Sequence, residues 1–126
     1  MSELFHVLID DYRDPSRIIG PSTMRDCRYL VIRTFQEAKA FVDSTNLVDV
    51  VLYLDNDLDE TTPGYEGYDV LNAALSARNY PSEIVIVTSN PVARMRMIAA
   101  IEATKCYGLH LSRWVRLDNE NDWNLQ

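Results

Sequence analysis

The stretch D-V-V-L-Y-L-D-N-D, residues 49–57, decides how this chain folds. From Asp49 to Leu54 it is apolar almost throughout, and then Asp55, Asn56 and Asp57 follow without a transition. A short, unbroken apolar run bounded by polar residues reads as a β-strand covered on both faces, the kind found in parallel sheets. The acids that end it then lie at the strand's carboxyl end.

The same pattern recurs on either side. Leu4 to Ile9 reads as a buried strand and ends in Asp10 and Asp11. Arg28 to Arg33 is a second strand, Glu83 to Val87 a short buried one, and Leu109 to Val115 an edge strand. Helical patterns alternate with them. Thr34 reads as an N-cap with Glu37 completing a capping box, and Phe35, Ala38, Phe41 and Val42 share one face. A helix from about Tyr68 to about Arg78 has Val70, Leu71, Ala74 and Leu75 on its apolar face, and Pro81 lies just beyond it. Asn90 and Pro91 open another helix, with Met95, Ile98 and Ile101 directed inward. The segment Tyr12 to Asp26 holds Pro15, Gly20 and Pro21 without a helical period, so it reads as a long loop with a short turn of helix at most.

Strands alternating with helices predict an α/β fold with a doubly wound, mainly parallel sheet of about five strands. A chain of 126 residues suits one domain, here 1–117, with an acidic polar tail over 118–126 that contains D-N-E-N-D. At 47% apolar residues the chain can build a core, yet no run approaches the ~20 residues of a membrane span. The N-terminus has no basic-then-apolar leader. Cys27 and Cys106 form no metal-binding or redox pair, so they read as reduced thiols of a cytoplasmic protein. A formal charge of −7 argues against duplex DNA as a partner.

In open parallel sheets, ligands bind beyond the carboxyl ends of the strands. The polar residues just after each strand should therefore form one chemically sensible group. Strand one supplies Asp10 and Asp11; strand three supplies Asp55 and Asp57; strand four supplies Thr88, Ser89 and Asn90, followed by a helix N-terminus. Adjacent acids repel unless something positive lies between them. A hard divalent cation such as Mg²⁺ takes oxygen ligands and keeps several waters, so Asp10, Asp11, Asp55 and Asp57 suffice to hold it. Backbone N–H groups at the helix start, with Ser89 and Asn90, would take a phosphate, and Arg94 and Arg13 would reach it from two sides.

Each piece also has a plain structural reading. Acids after a strand are often solvated turns, and Asn-Pro is often only a helix cap. D-N-D-L-D-E lacks the glycine and the terminal glutamate of a calcium loop at their spacings. His6 lies inside strand one and reads as packed against the sheet, and His110 follows the last helix. Tyr65 and Tyr68 beside Glu66 suit either a basic protein partner or packing of their own loop.

The order Asp-Asp, Asp, Thr-Ser at successive strand ends resembles response-regulator receiver domains, which have a flavodoxin-like fold. Two features depart from them: no lysine lies within 109–115, and a loop stands where the first helix is expected. The chain more closely resembles the cyclic-phosphate processing receiver domain family. The residues that carry this are I-D-D-Y-R-D-P (9–15), L-D-N-D-L (54–58), G-Y-D-V (67–70) and V-T-S-N-P-V-A-R-M-R-M (87–97), over about residues 5–105. The resemblance implies a phosphoesterase acting on cyclic or terminal phosphates of nucleotides or nucleic-acid ends, from a bacterium or phage. The family histidine falls on Val87, its serine on Thr88 and its glycine on Ala93.

Three functions follow as expectations. In the first, Asp10, Asp11, Asp55 and Asp57 hold Mg²⁺, which polarises the phosphoryl group and activates water, with Asp11 and Thr88 in the reacting site. Asp55 is alternatively the nucleophile. In the second, without the histidine, the chain is a binding protein for a phosphorylated ligand or for a host or regulatory protein. The third is a phosphoacceptor, which the missing lysine disfavours.

Overall fold

The computed structural model describes residues 3–58, 64–106, 108 and 113–116. Five strands, β1 (Phe5–Ile9), β2 (Arg28–Ile32), β3 (Val50–Leu54), β4 (Glu83–Ile86) and β5 (Arg113–Arg116), form one sheet in the order β2-β1-β3-β4-β5. Every neighbouring pair is parallel. This order places the topological reversal between β1 and β3, where open sheets of this kind bind ligands.

Three helices, α3 (Phe35–Ser44), α4 (Gly67–Ser76) and α5 (Pro91–Cys106), cover one face. Because side chains alternate along a strand, Val7, Ile9, Leu52, Leu54, Ile84 and Ile86 meet those helices. Leu8, Val51, Tyr53, Val85 and Val87 form the opposite core with Ile18 and Ile19. β3 is buried at all five positions, as its apolar run requires.

The segment expected to be a loop instead holds two short helices, α1 (Pro15–Ile18) and α2 (Pro21–Asp26). Each starts at a proline, whose missing N–H costs nothing in the first turn. Asp14 caps α1 by accepting the Ser16 N–H at 2.9 Å, and Gly20 at φ 97° turns the chain into α2. Neither helix is long enough to display a 3.6-residue period. In α5, Met95 points outward (62% exposed), whereas Ala93, Met97 and Ile101 form the buried stripe. That i, i+4, i+8 spacing excludes position 95 from the inward face. The edge strand is described only over Arg113–Arg116; positions 109–112, including His110, and the 118–126 tail lie outside the described residues. No helix among the described residues is long and apolar enough to cross a membrane.

Candidate functional site

The hydrogen-bond ladder runs one residue past the central strands. The Asp10 N–H donates to Ile32 O at 3.0 Å, and the Asp55 N–H donates to Ile9 O at 2.9 Å. Two aspartates thus stand side by side where the sheet ends. Both are buried, Asp10 completely and Asp55 at 1% exposure, while Asp11 is half-buried. One carboxylate oxygen from each of Asp10, Asp11 and Asp55 lies within 4.8 Å of the others.

Local contacts hold this arrangement. Asp10 Oδ1 accepts the N–H groups of Tyr12 and Arg13, both at 3.1 Å, which closes a tight turn. Arg33, just after β2, fixes the same turn from outside. Its Nη1 donates to the carbonyls of Asp10 at 3.1 Å and Arg13 at 2.9 Å. On the other side, α4 presses directly on Asp55. A Cβ on Gly67 would lie 1.8 Å from the Asp55 carbonyl oxygen, so only glycine fits. The Gly67 N–H donates to Asn56 O at 2.8 Å, and the buried Asn56 side chain accepts the Tyr68 N–H at 3.0 Å. Asp69 accepts the Glu66 N–H at 2.9 Å. The G-Y-D-V stretch therefore docks and caps α4 over the site.

Arg13 takes an unexpected place. It was expected to reach a phosphate, but its guanidinium is folded back and only 7% exposed. Nη1 donates to Asp10 Oδ2 at 2.9 Å and lies 3.3 Å from Asp55 Oδ2. The second contact is an ion pair without hydrogen-bond alignment, and Arg13 Nε has no hydrogen-bond partner among the described residues. The Tyr12 ring lies 4.9 Å from the guanidinium carbon. Burial works against the charge on Arg13, but the Asp10 hydrogen bond and the charges of Asp10 and Asp55 raise its pKa overall. Burial, reinforced by the charge of Asp10, pushes the Asp55 carboxyl up to about 6 despite the pull of Arg13.

The other expected residues divide. Asp57 is exposed and is not one of the three grouped acids. Thr88 is buried after β4, and its Oγ1 accepts the Asn90 N–H at 3.1 Å. Ser89 is exposed. Asn90 does not leave the α5 N-terminus open: its Oδ1 accepts the N–H groups of Val92 at 3.0 Å and Ala93 at 3.2 Å. The donors expected to hold a phosphate are thus met by the helix's own cap. Arg94 Nη1 donates to Thr88 O at 3.4 Å, which keeps that guanidinium beside the strand end. Arg96 covers the Tyr68 ring at 3.9 Å, and Tyr65 stacks on Phe35 at 4.9 Å, so both tyrosines have intramolecular packing partners. His6 accepts or donates a 2.9 Å hydrogen bond with Tyr53 inside the sheet, and burial lowers its pKa.

Arg33 was not among the sequence candidates. The sequence reading placed it inside the second strand, whereas β2 ends at Ile32 and leaves Arg33 as the first residue beyond the strand.

A family model described as the cyclic-phosphate processing receiver domain matches residues 5–103. The chain belongs to this family. Its fold is also that of a response regulator, DrrB, a Thermotoga maritima OmpR/PhoB homolog. That structure superposes with a TM-score of 0.61 at 13% identity, over 98% of this chain and 50% of the other. The chain thus spans about half the length of that regulator, and at this identity the likeness concerns fold alone. Among curated proteins none matches the chain. Within this cyclic-phosphate processing receiver domain, I-D-D-Y-R-D-P forms the Asp10 turn with Arg13 inside it, and G-Y-D-V forms the α4 docking surface. Val87, at the family's histidine position, is buried against Leu8, Ile18 and Tyr53.

The three grouped carboxylates suit a hard divalent cation. All donors are oxygens, and oxygens on opposite sides of a Mg²⁺ lie about 4.2 Å apart. The three oxygens lie within 4.8 Å of one another, and Asp55 Oδ2 is buried without a hydrogen bond among the described residues. An ion there would relieve both the missing hydrogen bond and the crowding of negative charge.

Proposed function

We propose that this domain binds a divalent cation at Asp10, Asp11 and Asp55 and hydrolyses cyclic or terminal phosphates of nucleotides or nucleic-acid ends. One observation carries the reading: three carboxylates from the ends of two separate strands meet at the sheet's topological reversal, two of them buried beside Arg13. Mg²⁺ is the ion the donor set favours, and it would supply Lewis-acid polarisation of a phosphoryl oxygen and a more acidic water.

The protein's own groups would do the rest. Asp10, bound to two backbone N–H groups, holds its carboxylate in a fixed direction. Asp55, whose carboxyl is pushed up to about 6 by burial and the charge of Asp10 without metal, would be held ionised by a bound cation and serve as its ligand. The Thr88 hydroxyl, already an acceptor from Asn90, retains its proton to donate. Arg94 at the strand end meets developing phosphate charge. Phosphate binding through the α5 N-terminus requires the Asn90 side chain to turn away.

A second reading has its own support. Val87 is apolar and buried where the family has histidine, and His6 is engaged with Tyr53. A binding protein that holds a phosphorylated ligand, or docks on a host or regulatory protein, needs no such base.

The test combines Mg²⁺ titration, followed by intrinsic fluorescence, with a panel of cyclic nucleotide phosphates, using Asp55→Asn beside the parent. Metal-dependent turnover that Asp55→Asn abolishes supports the enzyme. Metal binding without turnover supports the binding protein. Stable labelling of Asp55 by acetyl phosphate moves the domain to signalling, and absence of metal binding ends the proposal.

A further inference from the structure

The contacts of Arg13 are unequal. Toward Asp10 it makes an aligned 2.9 Å hydrogen bond. Toward Asp55 it offers only charge at 3.3 Å, with no hydrogen bond to Oδ2. Its Nε is buried and also lacks a hydrogen bond among the described residues. A buried ionic network left half-satisfied is poorly stabilised, because the low dielectric that strengthens a good pair also penalises each missing bond. Asp11 brings a third carboxylate oxygen within 4.8 Å of the pair.

We propose that Arg13 is an internal counter-cation that competes with the divalent ion for Asp55. In the metal-free protein its guanidinium neutralises part of the charge of Asp10 and Asp55 and keeps them together. On metal binding the Arg13–Asp55 contact breaks, because it is the weaker of the two, while the bond to Asp10 Oδ2 acts as a pivot. The Arg33 clamp on the Asp10 and Arg13 carbonyls keeps the backbone in place, so the exchange needs only side-chain rotation. A shared carboxylate makes metal affinity and the Arg13–Asp55 contact antagonistic by linkage: whatever strengthens one weakens the other. The inference rests on the proposed metal site, and its test separates the two.

The experiment measures Mn²⁺ and Mg²⁺ affinity by titration calorimetry in the whole chain, with Arg13→Gln and Arg13→Lys, and records thermal unfolding of each with and without metal. Arg13→Gln keeps a hydrogen-bond donor and removes the charge. It is expected to bind Mn²⁺ about ten- to a hundredfold more tightly, the factor by which one close opposite charge shifts the equilibria of a carboxylate. Its metal-free form should melt lower than the parent, and metal should raise its melting temperature more than it raises the parent's. Arg13→Lys keeps the charge but not the planar fork, and should fall between the two. It serves as the decisive variant if Arg13→Gln does not fold. Affinity equal to or weaker than the parent's in the folded variants overturns the competition while leaving the metal site standing. No metal binding by the parent or by any folded variant overturns both.

Discussion

Replacing Asp55 with asparagine should stabilise the metal-free protein at neutral pH. The folded carboxyl titrates at about 6, against 3.8 for the free group, and burial is the leading cause. The native state therefore holds a proton more tightly than the unfolded chain does. Between those two values the unfolded chain has released it and the native state has not, so stability falls as pH rises through the window. A gap of roughly 2 pH units corresponds to about 3 kcal/mol lost by neutral pH. The side chain is 2% exposed, so solvent screening gives little relief. Asparagine resembles the protonated carboxyl, keeping an oxygen for Arg13 without the charge. In EDTA, urea unfolding from pH 4 to 8 should show Asp55→Asn more stable than the parent by about 2–3 kcal/mol at pH 7.5. The advantage should shrink to near zero by pH 4. Millimolar Mg²⁺ should narrow the gap at pH 7.5 by stabilising only the parent. A difference that stays flat with pH, or a variant less stable than the parent at pH 7.5, refutes the account of Asp55 as a charge held against its burial.

Three further substitutions probe the frame around the site. Gly67→Ala would force α4 away from the Asp55 carbonyl, which its Cβ would meet at 1.8 Å; thermal melts should show a loss of at least about 2 kcal/mol, and Mn²⁺ binding should weaken with it. Arg33→Ala removes two hydrogen bonds to the Asp10 turn. A cost of about 1–3 kcal/mol should come with several-fold weaker metal affinity in calorimetry, and lysine should restore part of both. Asp57→Asn alters an exposed side chain outside the three-acid group. Its stability should stay within about 0.5 kcal/mol of the parent, and loss of metal binding in this variant would show that the ligand set has been drawn wrongly.

Much of this architecture was legible from pattern. The apolar runs at β1, interrupted only by His6, and at β3 required a sheet covered on both faces, and the intervening amphipathic segments required helices. The strand-end rule selected Asp10, Asp11, Asp55 and Thr88 because a parallel sheet gathers its carboxyl ends along one edge. It missed Arg33 because the second strand was read one residue too long, through Arg33 itself. Periodicity failed at α1 and α2, each less than two turns long. It misplaced Met95 because a helix face is fixed by what it packs against.

Order along the chain thus determined which chemical groups share an edge: parity along strands and period along helices depend on neighbours a few residues away. Tertiary structure alone decided what each group touches there. Asn90 covers the α5 donors, Gly67 admits α4 onto Asp55, and Arg13 lies between the two buried acids rather than out over the rim. Those outcomes turn on differences of about an ångström between elements far apart in sequence. Hydrogen bonding and ion pairing are sensitive to distance and angle at that scale, and residue spacing is not.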